Sequence, residues 1–339
     1  MADPARRGVG AGSAVIRWLA GRLLQTLATY ALAVTLLFIM MRLTPGDPLA
    51  GLSDERPLPA EARELLRRRY RLDQPVLTQY ADFLAGALRG DLGVSIAQHG
   101  RPVTALIRER LPATLLLGTT TLVAMFGIGI AVGVLQATRA GSVTDRVLGI
   151  LSLTAYATPS FWLGLVLTWA LAIEWHWFPV AFMHAPLLDP DAGWWVRLTD
   201  LLWHLVLPVT TLTLVSFGAV ARYQRAAMLE ALGLGAIRTA RTKGLRDRSI
   251  LWHHAWRNSV GPMLALFGLW LPLVVAGSVF VESVYAWPGL GTLAAESIGS
   301  RDYPVIMGVA ILVSAVVIGG NLLADLLHGW LDPRLRPSQ

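Results

Sequence analysis

Apolar residues gather in six long runs separated by polar segments: Leu23–Met41, Thr114–Ala137, Val147–Ile173, Leu201–Ala221, Gly261–Val281 and Val305–Leu323. Roughly 20 residues of helix, at 1.5 Å rise each, cross a hydrocarbon layer of about 30 Å. The inner stretches carry almost no ionisable side chains, as burial in lipid demands. The pattern predicts an all-α, polytopic membrane protein with six transmembrane helices. The one large insertion is 42–113, where Glu61–Leu72 reads as an amphipathic helix. Leu65, Leu66 and Tyr70 are available there to pack, with Arg67–Arg69 in solvent. Leu72-Asp73-Gln74-Pro75 breaks that helix and Gly90-Asp91-Leu92-Gly93 marks a turn, so a small lobe on the outer face is expected.

Composition agrees with this pattern: 54% of the 339 residues are hydrophobic and only 15% are charged. Charge then adds orientation. Six spans put both ends of the chain on one side, with segments 1–22, 138–146, 222–259 and 328–339. Those segments hold sixteen Lys/Arg against five Asp/Glu. The short opposite loops, 174–200 and 282–304, hold two Lys/Arg against seven Asp/Glu. The positive-inside rule places both termini in the cytoplasm. The net charge of +7 is thus a topology signal, and a nucleic-acid partner is not expected. There is no cysteine, so neither a disulfide framework nor a thiolate metal site can form. Arg6-Arg7 ahead of an apolar run has the look of a secretory or twin-arginine signal. The run is long, shows no small-x-small cleavage pattern and is followed by five more, so an uncleaved first span is expected. The domain layout is an N-terminal segment 1–22, a six-span domain 23–327 and a tail 328–339. Segment 222–259 is its main cytosolic excursion.

Within 222–259, Gly233 and Gly235 interrupt the helix leaving the membrane. A short second helix is predicted over about 236–243, with Gly244 at the left-handed position that follows a helix end. Leu229, Leu232, Ile237 and Ala240 share one face, while Arg238, Arg241 and Arg248 project elsewhere. Arg241 and Lys243, the chain's one lysine, complement the helix dipole. A helix of about two turns is marginal in water and requires docking. It docks either on anionic lipid headgroups or on a soluble partner. Pro159 and Pro208 interrupt the third and fourth spans, as packing kinks or as lining of a pathway.

Several chemistries are missing from the sequence. No phosphate-binding Gly-x-x-x-x-Gly-Lys-Ser/Thr loop exists, and neither His-Glu-x-x-His nor Gly-x-Ser-x-Gly occurs. The pair His253-His254 lies in a basic loop, and no metal site or catalytic residue is expected. The spans lack the mid-membrane carboxylates of an ion-coupled carrier, Asp325 lying at the end of the last. A transporter of this kind must borrow its energy. A secondary carrier would need intramembrane ionisable groups; a scaffold would need neither proline-broken spans nor the glycine at 244.

A series of motifs then marks the chain from about residue 17 to 336. They are Thr44-Pro45-Gly46-Asp47-Pro48, Leu72-Asp73-Gln74-Pro75, Gly90-Asp91-Leu92-Gly93 with Ser95, Arg110-Leu111-Pro112-Ala113-Thr114-Leu115 and Thr158-Pro159-Ser160-Phe161. Next come Arg222-Tyr223, Arg238-Thr239-Ala240 with Lys243-Gly244-Leu245, and Arg257-Asn258. The last are Trp287-Pro288-Gly289-Leu290-Gly291, Arg301-Asp302-Tyr303-Pro304 and Leu331-Asp332-Pro333-Arg334. In order and spacing the chain resembles the transmembrane permease subunits of bacterial ABC importers, in the dipeptide/oligopeptide/nickel permease family. The family's coupling signature is Glu-Ala-Ala-x-x-x-Gly, followed after nine residues by Ile-x-Leu-Pro. Here Arg238-Thr239-Ala240 and Gly244 fill its first part, and His254, Trp256 and Arg257 replace its tail.

That resemblance implies the importer type I permease fold in a bacterial inner membrane. It implies a homologous second permease subunit, two cytosolic ATPase subunits that bind ATP and Mg, and an extracytoplasmic solute-binding protein, with no cofactor in this chain. The ATPase contact is expected at Ala236, Ile237, Arg238, Thr239, Ala240, Arg241, Lys243, Gly244 and Leu245, with an acidic ATPase patch facing Arg238. Pathway candidates are Pro159, Ser160, Pro208 and Asn321. Trp287, Gly289, Gly291 and Tyr303 are candidates for docking the binding protein, or else for packing against the outer ends of the spans. The implied substrates are dipeptides or oligopeptides, with nickel chelates, glutathione or another small solute as alternatives.

Overall fold

Five of the six apolar runs are helical as far as the structure describes them, and the third, Val147–Ile173, is helical on either side of a break at Thr158 and Pro159. A computed structural model describes residues 5–43, 59–69, 73–270 and 279–331; side chains at 5–19, 62, 63, 69, 238, 265 and 323–331 fall outside that description. The motifs at 44–48 and 332–334, Leu72 and Tyr70 therefore lie outside the described residues, as do the side chains of Arg6, Arg7, Asp325 and His328. Among the described residues the backbone is helix and turn, with one isolated antiparallel bridge between Val94 and Pro102. Four helices are long and apolar enough to span a bilayer: Ala20–Leu43, Val103–Thr138, Trp194–Gly233 and Tyr303–Leu322. A bent pair, Val143–Ala157 with Ser160–Glu174, supplies a fifth. The run Gly261–Val281 is helical up to Trp270 and again from Val279, with 271–278 outside the described residues.

The chain divides into two compact units, Met1–Pro112 with Gly289–Gln339, and Ala113–Pro288. In the first, α1 (Ala5–Leu43) packs along α12 (Tyr303–Leu331). Leu24, Leu32, Leu36 and Met40 of α1 remain exposed, an apolar stripe suited to lipid. Within the insertion, α2 (Ala60–Arg69) forms where the amphipathic pattern predicts it. Its Leu65 is exposed rather than packed, and Glu64 instead accepts from Arg68 Nε at 3.2 Å. Helix α3 (Val76–Leu88) follows Pro75 and was not legible in the pattern. It is held to α1 by Thr35 Oγ1 and the Tyr80 hydroxyl, 2.6 Å apart, and by Phe38 against Tyr80 and Phe83.

The lobe that follows is tied to the foot of α12 by one carboxylate. Asp302, 1% exposed, accepts from the Ser95 hydroxyl and from the amides of Ile96 and Ala97, each at 3.1 Å. Ser95 Oγ in turn accepts from the Gln98 amide at 2.8 Å. A buried carboxylate is tolerable only with its lone pairs filled in this way. Helix α11 (Leu290–Gly299) completes this unit, and the first part of α4 (Val103–Thr138) starts in it.

In the second unit the 40-residue α7 (Trp194–Gly233) packs against α5 (Val143–Ala157), α6 (Ser160–Leu167), α9 (Trp256–Trp270) and α10 (Val279–Val284). At about 1.5 Å per residue, α7 is roughly 60 Å long and outruns the bilayer. The third span is not straight. Thr158 is extended because the following proline disfavours helical backbone there, and α5 and α6 meet at 102°. Pro208, expected to interrupt the fourth span, does not: α7 continues through it. The helix around it is buried and clamped, with Thr211 Oγ1 2.8 Å from both Leu207 O and the Tyr285 hydroxyl, and Tyr285 donating to Gly164 O at 3.2 Å. Neighbouring helices stabilise a proline-containing helix in this way.

Replacing Asp302 by Ala should leave two amides and a hydroxyl without their acceptor, at about 1–3 kcal/mol for each unsatisfied group. Thermal unfolding of the detergent-solubilised protein should shift down clearly for Asp302→Ala and less for Asp302→Asn, which keeps one acceptor. Coincident melting of Asp302→Ala and wild type would contradict the role of this anchor.

Candidate functional site

Helix α7 ends at Gly233, and a single extended residue, Leu234, turns the chain into α8 (Gly235–Thr242). The break therefore falls on Leu234, between the two glycines expected to cause it. The new helix starts with the Ile237 amide bonding to Leu234 O at 3.0 Å. It stops at a left-handed glycine: Gly244 has φ +74°, its amide bonds to Arg241 O at 2.9 Å, and the Leu245 amide reaches Ala240 O at 3.3 Å. This paired closure satisfies carbonyls that a helix end otherwise leaves open, and a residue with a Cβ enters the left-handed region at a cost.

What holds so short a helix is its buried face. Ile237 (1% exposed) and Ala240, three residues apart and so on one side, pack into a cluster with Ala137, Met228, Ala231, Ile250 and Ala255. Val134, Leu229, Leu232 and Leu251 close over its margin. The cluster joins α8 to the ends of α4 and α7 and to the π-helical turn Ile250–Ala255, which runs directly into α9. Burying a side chain the size of Ile237 contributes about 2 kcal/mol, enough to offset the poor intrinsic stability of two turns.

The opposite face is open. Ala236, Thr239, Arg241, Lys243, Gly244, Leu245 and Arg246 are exposed, and a Cβ added at Gly244 would meet nothing within 4 Å. The Arg238 side chain lies outside the described residues. Of the nine positions expected to meet a soluble partner, Ile237 and Ala240 instead fasten the helix to the bundle, because their side chains are buried in the apolar cluster.

Sequence reasoning missed one tie beside this site. Asp145 accepts from Arg225 Nε at 2.9 Å, from Arg225 Nη2 at 2.8 Å and from the Gly141 amide at 2.9 Å. The two-point pair fixes the α4–α5 turn to α7 about three turns before α8 begins. Its signal was present: Ser142-Val143-Thr144-Asp145 is a capping pattern, and the Ser142 hydroxyl does accept from the Asp145 amide at 3.2 Å.

The other candidates differ in exposure. Pro159 is exposed at the α5–α6 bend with Ser160 beside it, Pro208 is buried, and Asn321 is exposed on α12 of the other unit. Trp287 has no surface to offer a binding protein. It is fully buried against Ala113, Leu117 and Leu205, and its Nε1 donates to Ala113 O at 2.9 Å. Gly289 and Gly291 are buried at the start of α11, and only Tyr303 of this set is partly exposed. Among the described residues no three His, Asp or Glu side chains group as metal ligands.

Membrane-length helices, one of them a pair bent at a proline, together with a short helix keyed into the ends of α4 and α7 define a class: a polytopic membrane protein with a docked helix at its surface. Residues 129–337 match the family of binding-protein-dependent transport system inner membrane components, and the chain belongs to that family. It is 38% identical to the oligopeptide transport system permease protein AppB of Bacillus subtilis (strain 168), over 90% of this chain and 94% of that one. It is 33% identical to the dipeptide transport system permease protein DppB of Escherichia coli (strain K12), over 95% and 99%. A chain of the MetNI methionine ABC transporter in an inward-facing conformation overlays at a TM-score of 0.47 and 17% identity, covering 66% of this chain and 96% of that one. The protein is a multi-pass permease subunit of an ABC importer.

Truncating Ile237 to Ala should cost about 2–4 kcal/mol of local docking, and Gly244→Ala about 1 kcal/mol. At about 1.4 kcal/mol per tenfold, amide exchange over 235–245 should accelerate about thirtyfold or more in the first and about fivefold in the second. Exchange rates in Ile237→Ala equal to wild type would show that the apolar cluster does not hold α8.

Proposed function

We propose that this chain forms, with a homologous second permease subunit, the route by which dipeptides or oligopeptides enter a bacterial cell. In this reading α8 receives the stroke of a cytosolic ATPase subunit. The single observation that carries it is the two-sided character of α8. One face is locked into the ends of α4 and α7 and the turn leading to α9, and the other presents Arg241 and Lys243 outward. A force applied to the exposed face is delivered to three membrane helices together rather than absorbed by a loop.

The excess of Arg and Lys in 1–22, 138–146, 222–259 and 328–339 puts α8 and both termini on the cytosolic side in this reading. ATP and Mg belong to the two ATPase subunits, and this chain supplies no catalytic group. Closure of those subunits on ATP would carry α8 with them and rock the spans between inward- and outward-open arrangements, with an extracytoplasmic binding protein delivering the solute. An acidic surface on the ATPase fits the exposed cations. The peptide assignment is supported by relatives, named for oligopeptide and dipeptide transport, that match nearly the whole chain.

The test uses the reconstituted transporter and measures ATP hydrolysis with and without its binding protein and a dipeptide. Gly244→Asp is the informative variant. Its site is open, and a short polar residue tolerates the left-handed backbone, so the fold should persist while an anion enters the contact. Stimulation by the loaded binding protein should fall at least tenfold in Gly244→Asp at unchanged expression. Undiminished stimulation would remove α8 from the coupling path, and a wild type deaf to dipeptide but responsive to another solute would remove the peptide assignment alone.

A further inference from the structure

A cavity of about 450 Å³ lies between α5 and α7 in the half of the second unit that carries α8, and coupling makes no use of it. Arg146, Arg222 and Arg225 all line it, with a single carboxylate, Asp145. That carboxylate is occupied by Arg225, as described above. Arg146 and Arg222 are exposed and form no ion pair among the described residues; the Arg222 guanidinium rests 6.0 Å from the ring centroid of Tyr223. The cavity therefore carries two uncompensated positive charges. Deeper along α5, Ser152 lines the same cavity, 7% exposed, and its hydroxyl has no hydrogen-bond partner. A buried hydroxyl left without an acceptor is costly and points to a missing one.

Beyond Ser152 the wall turns apolar. Leu153 and Tyr156 line the first cavity, and Leu153 is shared with a second of about 620 Å³ that continues past Ala157 to Pro159, Phe161 and Trp162. From Arg146 to Pro159 is about 20 Å of helix, against a hydrocarbon half-layer of about 15 Å. The two cations flank the apolar runs that start at Val147 and end at Ala221, so they sit at the bilayer boundary. Anionic head, polar linker and apolar tail thus find complementary surfaces in the order that a phospholipid presents them.

We propose that this face of α5 and α7 is a specific site for one anionic phospholipid of the leaflet at the α8 end. Its phosphate lies between Arg146 and Arg222, an ester carbonyl accepts from the Ser152 hydroxyl, and one acyl chain runs along Leu153, Tyr156, Phe161 and Trp162. Basic pockets between membrane helices bind acidic headgroups for the same electrostatic reason. The occupant would bridge α5 to α7 alongside the Arg225–Asp145 pair, and α7 leads directly into α8.

The test is native mass spectrometry of the intact transporter released from bilayer discs of phosphatidylglycerol and phosphatidylcholine in equal amounts. Phosphatidylglycerol should be retained over phosphatidylcholine at least fivefold. The double variant R146Q/R222Q, both sites being exposed, should fold and lose that preference. S152A should weaken it, and R246Q, an exposed cation away from the cavity, should not. Equal retention of the two lipids, or a preference that survives R146Q/R222Q, would overturn the proposal. So would displacement by glycerol phosphate or by an acidic dipeptide as readily as by phosphatidylglycerol, because the apolar groove would then contribute nothing.

Discussion

The burial of Ile237 and Ala240 is the constraint from which the rest of this structure takes its meaning. Two turns of helix would not persist by themselves, and nothing in their own sequence except the stop at Gly244 fixes where they lie. The cluster with Met228, Ala231, Ile250 and Ala255 turns a marginal segment into a rigid projection of the helices that continue from it. Without it, the cations on the outer face would decorate a loose loop. With it, they form a surface whose position is tied to the bundle.

Inside the membrane the bundle cannot rely on the hydrophobic effect, because lipid is as apolar as any helix face. Close backbone approach takes over. A Cβ at Gly218 would collide with Ser152 O, and one at Gly133 would lie 2.5 Å from Ala221 O, so α7 meets α5 and α4 at contact distance where only glycine fits. Polar links are added where helices must keep register: Gln224 Nε2 to Ser259 Oγ at 3.1 Å joins α7 to α9, and Arg225 joins α7 to the α4–α5 turn. Both lie on the last turns of α7 before α8. A displacement of α8 is thereby shared among α4, α5, α7 and α9 over a short distance.

The sequence carried more of this than of the site itself. Apolar runs, the proline break at 159 and the left-handed Gly244 could be read because each follows from local chain chemistry: length against bilayer thickness, a missing amide, a missing Cβ. Helix α3 could not, since its stability comes from Tyr80 and Phe83 meeting Phe38 on a distant segment. The run Trp287-Pro288-Gly289 left two readings open, docking a binding protein or packing against the outer ends of the spans, and local chemistry does not choose between them. The indole is buried because its N–H finds the Ala113 carbonyl, a partner 174 residues away. Pro208 misled in the opposite direction, since local chemistry predicts an interruption that tertiary packing removes. The division of α8 into a fastening face and a free face was half legible: periodicity gave Ile237 and Ala240 a common side, but not what lay beneath it.

The claim that the free face of α8 is where the energy-supplying subunit makes contact is open to a direct measurement, because the chain has no cysteine of its own. A single Thr239→Cys substitution on the exposed face, in the assembled transporter with a cysteine-free ATPase bearing one engineered cysteine on its permease-facing surface, allows disulfide trapping across the contact. Leu187→Cys, 98% exposed in loop 174–200, serves as the comparison. The account predicts a permease–ATPase product from position 239, none from position 187, and loss of transport on trapping that reduction restores. A product from 187 with none from 239 would place the ATPase at the other end of the bundle and contradict it.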